Sequence, residues 1–282
     1  MLVDIKGIRS LFFNLLLVFL YFLSVNAVAL ELRGDWQQGG LVLGSIDPGT
    51  KIIFQGRQVD VSPEGHFIIA LGRDAPAQVT LVLDNKGVVD KRVFKVAQRE
   101  YDIQKIEGVP RETVEPPPEV LDRIAREAAL VASARSGSDP RLDYLDGFAK
   151  PLEGRISGVY GSQRYYNGVP RNPHYGLDIA APEGALVRAP AAGVVRLAHP
   201  DLYFSGGTLI VDHGYGLFSS FIHLSEILVS QGQVVEPGDE IARVGSTGRA
   251  TGPHLDWRIN WFDVRIDPAL VLKNFPRMAQ EQ

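Results

Sequence analysis

Between Gly34 and about Pro110, apolar residues come in short runs broken by turn formers. Leu41-Val42-Leu43-Gly44 leads into Asp47-Pro48-Gly49, and Lys51-Ile52-Ile53-Phe54 ends at Gln55-Gly56. Val59 and Val61 alternate with polar residues before Pro63-Glu64-Gly65, and His66–Ile69, Gln78–Leu83 and Lys91–Val96 follow. Strands about ten residues apart, with Gly and Pro at the turns, predict a β-sandwich-like domain of unknown role over residues 30–112. Pro116-Pro117-Pro118 marks a boundary, and proline suits a first helical turn. Leu121, Ile124, Ala125, Ala128 and Ala132 recur at helical spacing until Ser136-Gly137-Ser138, which gives a linker with a helix over residues 113–149. Arg123, Arg126 and Arg135 read as its solvated face.

After Gly154 the chain is glycine-rich and without long helical patterns. Candidate strands are Leu186–Ala189, Gly193–His199, Thr208–His213, Leu217–His223, Glu240–Val244 and His254–Asn260. The expected fold class is therefore mainly β, with a second all-β domain over residues 150–275 and a tail at 276–282.

The beginning of the chain breaks this pattern. Lys6 and Arg9 precede an apolar stretch from Leu11 to Val25, and Ala27-Val28-Ala29 fits a small-x-small cleavage site. Residues 1–29 read as a secretory signal peptide, leaving no membrane span after cleavage. The rival reading is an uncleaved anchor, because Leu11 to Leu30 carries no charge and is about long enough to span. Either reading places the remainder outside the cytoplasm.

Composition narrows the chemistry. The 282 residues carry a formal net charge of −4, which gives no sign of a general nucleic-acid partner. Cysteine is absent, so thiolate metal sites, disulfides and a cysteine nucleophile are excluded, and any metal must be held by His, Asp or Glu.

Five of the six histidines follow residue 170. In His174-Tyr175-Gly176-Leu177-Asp178 an imidazole and a carboxylate stand four residues apart, which on a strand would share a face and offer nitrogen and oxygen to a zinc ion. His254-Leu255-Asp256 is a second such pair, and His223 sits within Phe221-Ile222-His223-Leu224. Each alone would read as a core or chance residue. His66 and His213 read as structural, and His199 beside Pro200 as a loop residue. Tyr165 and Tyr166 either flank a cleft or lie in an exposed loop.

Together these residues resemble the lysostaphin-type (LytM-like) zinc metalloendopeptidase family. The resemblance rests on His174-x-x-x-Asp178, His223 before Leu224-Ser225, and Thr251-Gly252-Pro253-His254-Leu255-Asp256. Gly158–Arg164, Gly176–Gly184, Ala189–Val195, Val211–Gly214 and Val235–Ile241 extend it over residues of about 150–270. The resemblance implies one Zn(2+) held by His174, Asp178 and Asp256, with His223 and His254 catalytic. It implies an exported, periplasmic endopeptidase of a Gram-negative cell that cleaves peptide cross-links of peptidoglycan, with peptidoglycan peptide stems as its partner. Cell-division or wall-hydrolase partners are compatible with it.

Asp256 departs from the family's usual H-x-H motif, whose second histidine is the third ligand. Two carboxylates would cancel the charge of a zinc dication and acidify bound water less. A site without that third ligand would instead mark a degenerate domain that binds or activates other wall hydrolases. A biotinyl- or lipoyl-carrier reading of Val235–Ile241 fails because no lysine lies between Gly184 and Gly252.

Overall fold

The computed structural model describes residues 29–107 and 116–277. The expected signal segment lies outside the described residues, apart from Ala29. Among the described residues no helix is long and apolar enough to cross a membrane.

The amino-terminal region has eight strands: β1 (Leu30–Arg33), β2 (Leu41–Ile46), β3 (Lys51–Phe54), β4 (Arg57–Val59), β5 (His66–Ala70), β6 (Gln78–Asn85), β7 (Val88–Lys95) and β8 (Ile103–Ile106). They form a sheet ordered β1-β2-β5 and another ordered β4-β3-β6-β7. In β6 the residues alternate, with Val79, Leu81 and Leu83 buried, as a sheet with one solvated face requires.

Helix α1 (Leu121–Ala134) follows. It lies on the carboxy-terminal sheet, with Val131 and Ala134 against Leu197, Leu202, Ile210 and Phe218. Its arginines are not uniformly solvated. Arg123 pairs with Glu127 at 2.6 Å and Asp201 at 2.9 Å, and the Arg135 guanidinium donates to Ser220 Oγ at 2.9 Å. Only Arg126 of the three is exposed.

The carboxy-terminal region comprises β9 (Arg155–Gly158), β10 (Gln163–Tyr166), β11 (Val169–Pro170), β12 (Leu177–Ala180), β13 (Leu186–Arg188), β14 (Gly193–Leu202), β15 (Gly206–Asp212), β16 (Leu217–Ile227), β17 (Val234–Val235), β18 (Glu240–Val244), β19 (His254–Trp261) and β20 (Val264–Ile266), then helix α2 (Pro268–Asn274). Its main sheet runs β17-β14-β15-β16-β19-β12-β9, with β18 and β20 attached at β16 and β19. Leu255, Trp257 and Ile259 turn one face of β19 into the core, which leaves Asp256, Arg258 and Asn260 on the other. Tyr165 and Tyr166 lie on β10, half-buried, and His199 lies within β14.

The two regions are packed together. Their buried apolar residues form one cluster, from Phe67 and Leu81 to Leu177 and Trp257. Strand β8 pairs in parallel with β10, so the amino-terminal region extends the β10–β11 hairpin. Arg73 donates to the Gly161 carbonyl at 2.9 Å, and Arg99 reaches Asp267 at 2.8 Å. These contacts brace the segment that leads into His174.

Candidate metal centre

Strands β12 and β19 pair antiparallel with Asp178 directly opposite Asp256. Opposed residues share a face, so both carboxylates rise from the same patch of sheet. His174 reaches them from outside the strand. The shared-strand-face argument for His174 therefore does not hold, because β12 begins only at Leu177. A loop positions the imidazole instead: His174 N–H donates to Ser162 O at 2.8 Å, and Gly161 N–H donates to His174 O at 2.8 Å.

The three side chains converge. His174 Nε2 lies 3.0 Å from Asp178 Oδ1 and 3.4 Å from Asp256 Oδ2. One ligand atom from each of the three lies within 4.8 Å of those of the other two. Donors about 2.0–2.1 Å from a tetrahedral zinc ion stand roughly 3.3 Å apart, so the spacing suits that ion. Two glycines make room for the carboxylates. A Cβ on Gly158 would fall 2.2 Å from Asp178 Oδ2, and one on Gly176 would fall 1.9 Å from Asp256 Oδ1.

The contacts are close but not aligned as hydrogen bonds. His174 Nε2 and Asp178 Oδ1 are both buried without a hydrogen-bond partner. His174 Nδ1 faces the Val159 carbonyl at 3.1 Å, so Nδ1 carries the hydrogen and Nε2 is the atom turned to the carboxylates. Burial opposes charge on His174, but Asp178 and Asp256 outweigh it and raise its pKa to about 10. Buried polar atoms with matched spacing and no partner are what a bound cation would satisfy. The residues present fit a zinc ion.

His223 and His254 stand beside this cluster with ring centroids 4.9 Å apart. His223 has φ +65°, in the left-handed region, where a residue other than glycine is uncommon. It lies where β16 changes partner, between Ile222, paired with Asp256, and Leu224, paired with Val244. Its Nδ1 contacts the Thr247 carbonyl at 2.8 Å, and His254 Nδ1 contacts the Gly252 carbonyl at 2.8 Å. A carbonyl only accepts, so in both rings Nδ1 carries the hydrogen and Nε2 remains an acceptor. Burial lowers the pKa of His223 and favours its neutral form.

His213 sits elsewhere and is fully occupied. Its Nδ1 donates to Ala192 O at 2.6 Å, its Nε2 meets Ser219 Oγ at 2.8 Å, and its ring packs edge-on to Phe148.

Sequence reasoning missed Arg258. Its guanidinium grips Asp256 through Nε at 3.0 Å and 3.1 Å and through Nη2 at 2.6 Å. Burial pushes the Asp256 carboxyl up, but Arg258 and His174 outweigh it and hold it well below the usual carboxylate range. The available signal was the two-residue spacing, which puts Asp256 and Arg258 on one face of a strand.

Comparison with known proteins agrees with this geometry. Residues 172–268 match Peptidase family M23. The peptidoglycan DD-endopeptidase ShyA of Vibrio cholerae is 38% identical over 108 residues, 37% of this chain and 24% of its own length. The DD-carboxypeptidase/endopeptidase Mpg of Neisseria meningitidis is 36% identical over 107 residues, 38% of this chain and 24% of its own. The matched part spans about a quarter of the length of such relatives. A solved Pseudomonas aeruginosa structure assigned to peptidase M23 is 32% identical with a TM-score of 0.66, and the match covers 86% of this chain and 96% of that one. With that likeness running through both regions, the chain belongs to peptidase family M23.

Proposed function

We propose that the chain is a zinc-dependent endopeptidase that hydrolyses peptide cross-links of peptidoglycan in the cell envelope. The observation that carries this reading is the cluster of His174, Asp178 and Asp256, whose ligand atoms are spaced for a metal while two of them lack a hydrogen-bond partner. The relatives named peptidoglycan DD-endopeptidases point to the substrate. A wall substrate places the protein outside the cytoplasm, in the periplasm if the cell is Gram-negative, and fits residues 1–29 acting in export. Residues 150–275 would then be the peptidase domain, braced by the β-rich region of 30–112 across the 113–149 linker.

His174, Asp178 and Asp256 would hold one zinc ion, which when bound supplies Lewis acidity toward an amide carbonyl and lowers the pKa of a water. The remaining work belongs to the chain. His223 and His254 each lock Nδ1–H on a backbone carbonyl, so each presents Nε2 as a proton acceptor. One accepts the proton of the attacking water and returns it to the departing amine nitrogen. The other, when protonated, donates to the oxygen that gains charge as the carbonyl is attacked.

The second reading is a degenerate domain that binds the wall or activates other hydrolases. Arg258 favours it, because its guanidinium already engages both oxygens of Asp256. Metal analysis of the purified protein with digestion of purified sacculi separates the two. Stoichiometric zinc and release of uncross-linked muropeptides support the enzyme. Sacculus binding without zinc or hydrolysis supports the degenerate domain.

A further inference from the structure

Asp256 and Arg258 occupy the same face of β19, two residues apart. Among the described residues all three hydrogen bonds of the Arg258 side chain go to Asp256, whose carboxylate is withdrawn from solvent while the guanidinium side chain is half-buried. Arg258 therefore does not serve a distant acid or the protein surface. A half-buried guanidinium hydrogen-bonded to one carboxylate holds that partner in its charged form. The carboxylate in turn has its Oδ2 3.4 Å from His174 Nε2, inside the candidate metal cluster.

Charge counting gives this pair a role. A dication with two carboxylates and one neutral imidazole sums to zero, and adding Arg258 returns one positive charge. That is the charge of a dication held by two imidazoles and one carboxylate. The pairing also fixes geometry, since a bidentate fork holds the carboxylate plane against rotation.

We propose that Arg258 is a charge-compensating positioning residue of the metal cluster: its guanidinium neutralises Asp256, so that the carboxylate enters the donor set with the charge of an imidazole. The proposal rests on the reading that His174, Asp178 and Asp256 hold zinc. It changes what substitution at 256 does. Asp256→His installs a neutral ligand but leaves the half-buried Arg258 cation without its hydrogen-bonded carboxylate and next to a dication. Positions 256 and 258 should therefore tolerate exchange only together.

The test is zinc affinity, measured by competition with a chelating dye on the full chain, with circular dichroism as the check of folding. Arg258→Gln removes the positive charge and should bind zinc at least about tenfold more tightly than the parent. Arg258→Lys keeps the charge but loses the bidentate fork, so it should show none of the gain in affinity expected of Arg258→Gln. Asp256→His alone should lose about a hundredfold or more in affinity, and Asp256→His with Arg258→Gln should recover at least about tenfold of that loss. Equal or weaker zinc binding by Arg258→Gln overturns the proposal. If that variant does not fold, the comparison of Asp256→His with the double variant decides, and equal affinity of those two overturns it. A parent protein that binds no zinc overturns the underlying metal reading, and with it this proposal. Failure to digest sacculi with zinc affinities as expected overturns only the proposed activity.

Discussion

Two histidines beside one sheet, the half-buried His174 and the buried His213, show how differently a polar corner can be closed. Around His213 each ring nitrogen has a partner. Nδ1 donates to Ala192 O, Ser219 Oγ meets Nε2, and Trp257 Nε1 donates to the same Ser219 oxygen. Beside it Asp212 accepts from Gly214 N–H and from Arg196. Around His174 the donors are equally crowded, yet Nε2 and Asp178 Oδ1 have no hydrogen-bond partner. The protein satisfies the first corner from its own atoms. The second gathers two carboxylates around one imidazole, with negative charge directed inward, which a cation would satisfy. Satisfaction of the ring nitrogens separates the structural histidine from the candidate ligand here better than burial does.

The largest effects should come from breaking the unsatisfied corner. His174→Ala or Asp178→Ala is expected to abolish zinc binding and hydrolysis together while the fold is retained. Metal analysis and circular dichroism check this, and normal zinc content in either variant would remove that residue from the donor set. Smaller, and of a different kind, are the expected effects at His223 and His254. Replacing either with alanine should leave zinc bound and reduce sacculus digestion by about 10²–10⁴-fold, the usual contribution of a general acid or base. Parental rates in both variants would make the paired imidazoles structural.

Much of this contrast was legible in the sequence, because it depends on alternation along strands. His254-x-Asp256 puts two polar groups on one face of β19, and Leu255 and Trp257 fill the core on the other. The turn-punctuated runs gave the β-rich character of both regions. Other features depend on contacts between distant segments. His174 owes its place to backbone hydrogen bonds from Gly161 and to Ser162, not to strand periodicity. Strand β8 has four exposed residues and only becomes legible as a strand when β10 lies beside it. Arg135 reads as part of a solvated face, but it ends a helix that lies on the sheet, and burial lowers its pKa to about 9. Arg258 was visible as a basic residue, but its partner depended on Asp256 being charged and buried.

The satisfied corner should respond in stability rather than in chemistry. His213→Ala leaves a cavity, strands Ala192 O and takes the acceptor from the Ser219 hydroxyl, so a loss of about 2–4 kcal/mol is expected by denaturant unfolding, with zinc affinity of the folded protein unchanged.

The smallest expected effect is the pH dependence of that same corner. Burial lowers the pKa of His213 from 6.5 to about 4, opposed by the Ala192 carbonyl and by Asp143, and assisted by Arg141. The neutral ring donates through Nδ1 and accepts the Ser219 hydroxyl at Nε2, whereas the charged ring would bring a second N–H to the Ser219 side. A depressed folded pKa means that the unfolded chain binds more protons between the two values. Stability from His213 is therefore fully present above pH 6.5 and is lost as pH falls toward 4, by at most roughly 3 kcal/mol. Asp212 acts oppositely, since burial raises its pKa and its contribution is lost as pH rises. The useful quantity is thus a difference. His213→Gln does not titrate, so the stability gap between parent and variant should narrow steadily from pH 6.5 to 4 and stay constant above 6.5. A gap independent of pH across that range would mean that His213 is not held neutral by its surroundings, and the corner would no longer differ from that of His174 in the way its hydrogen bonds imply.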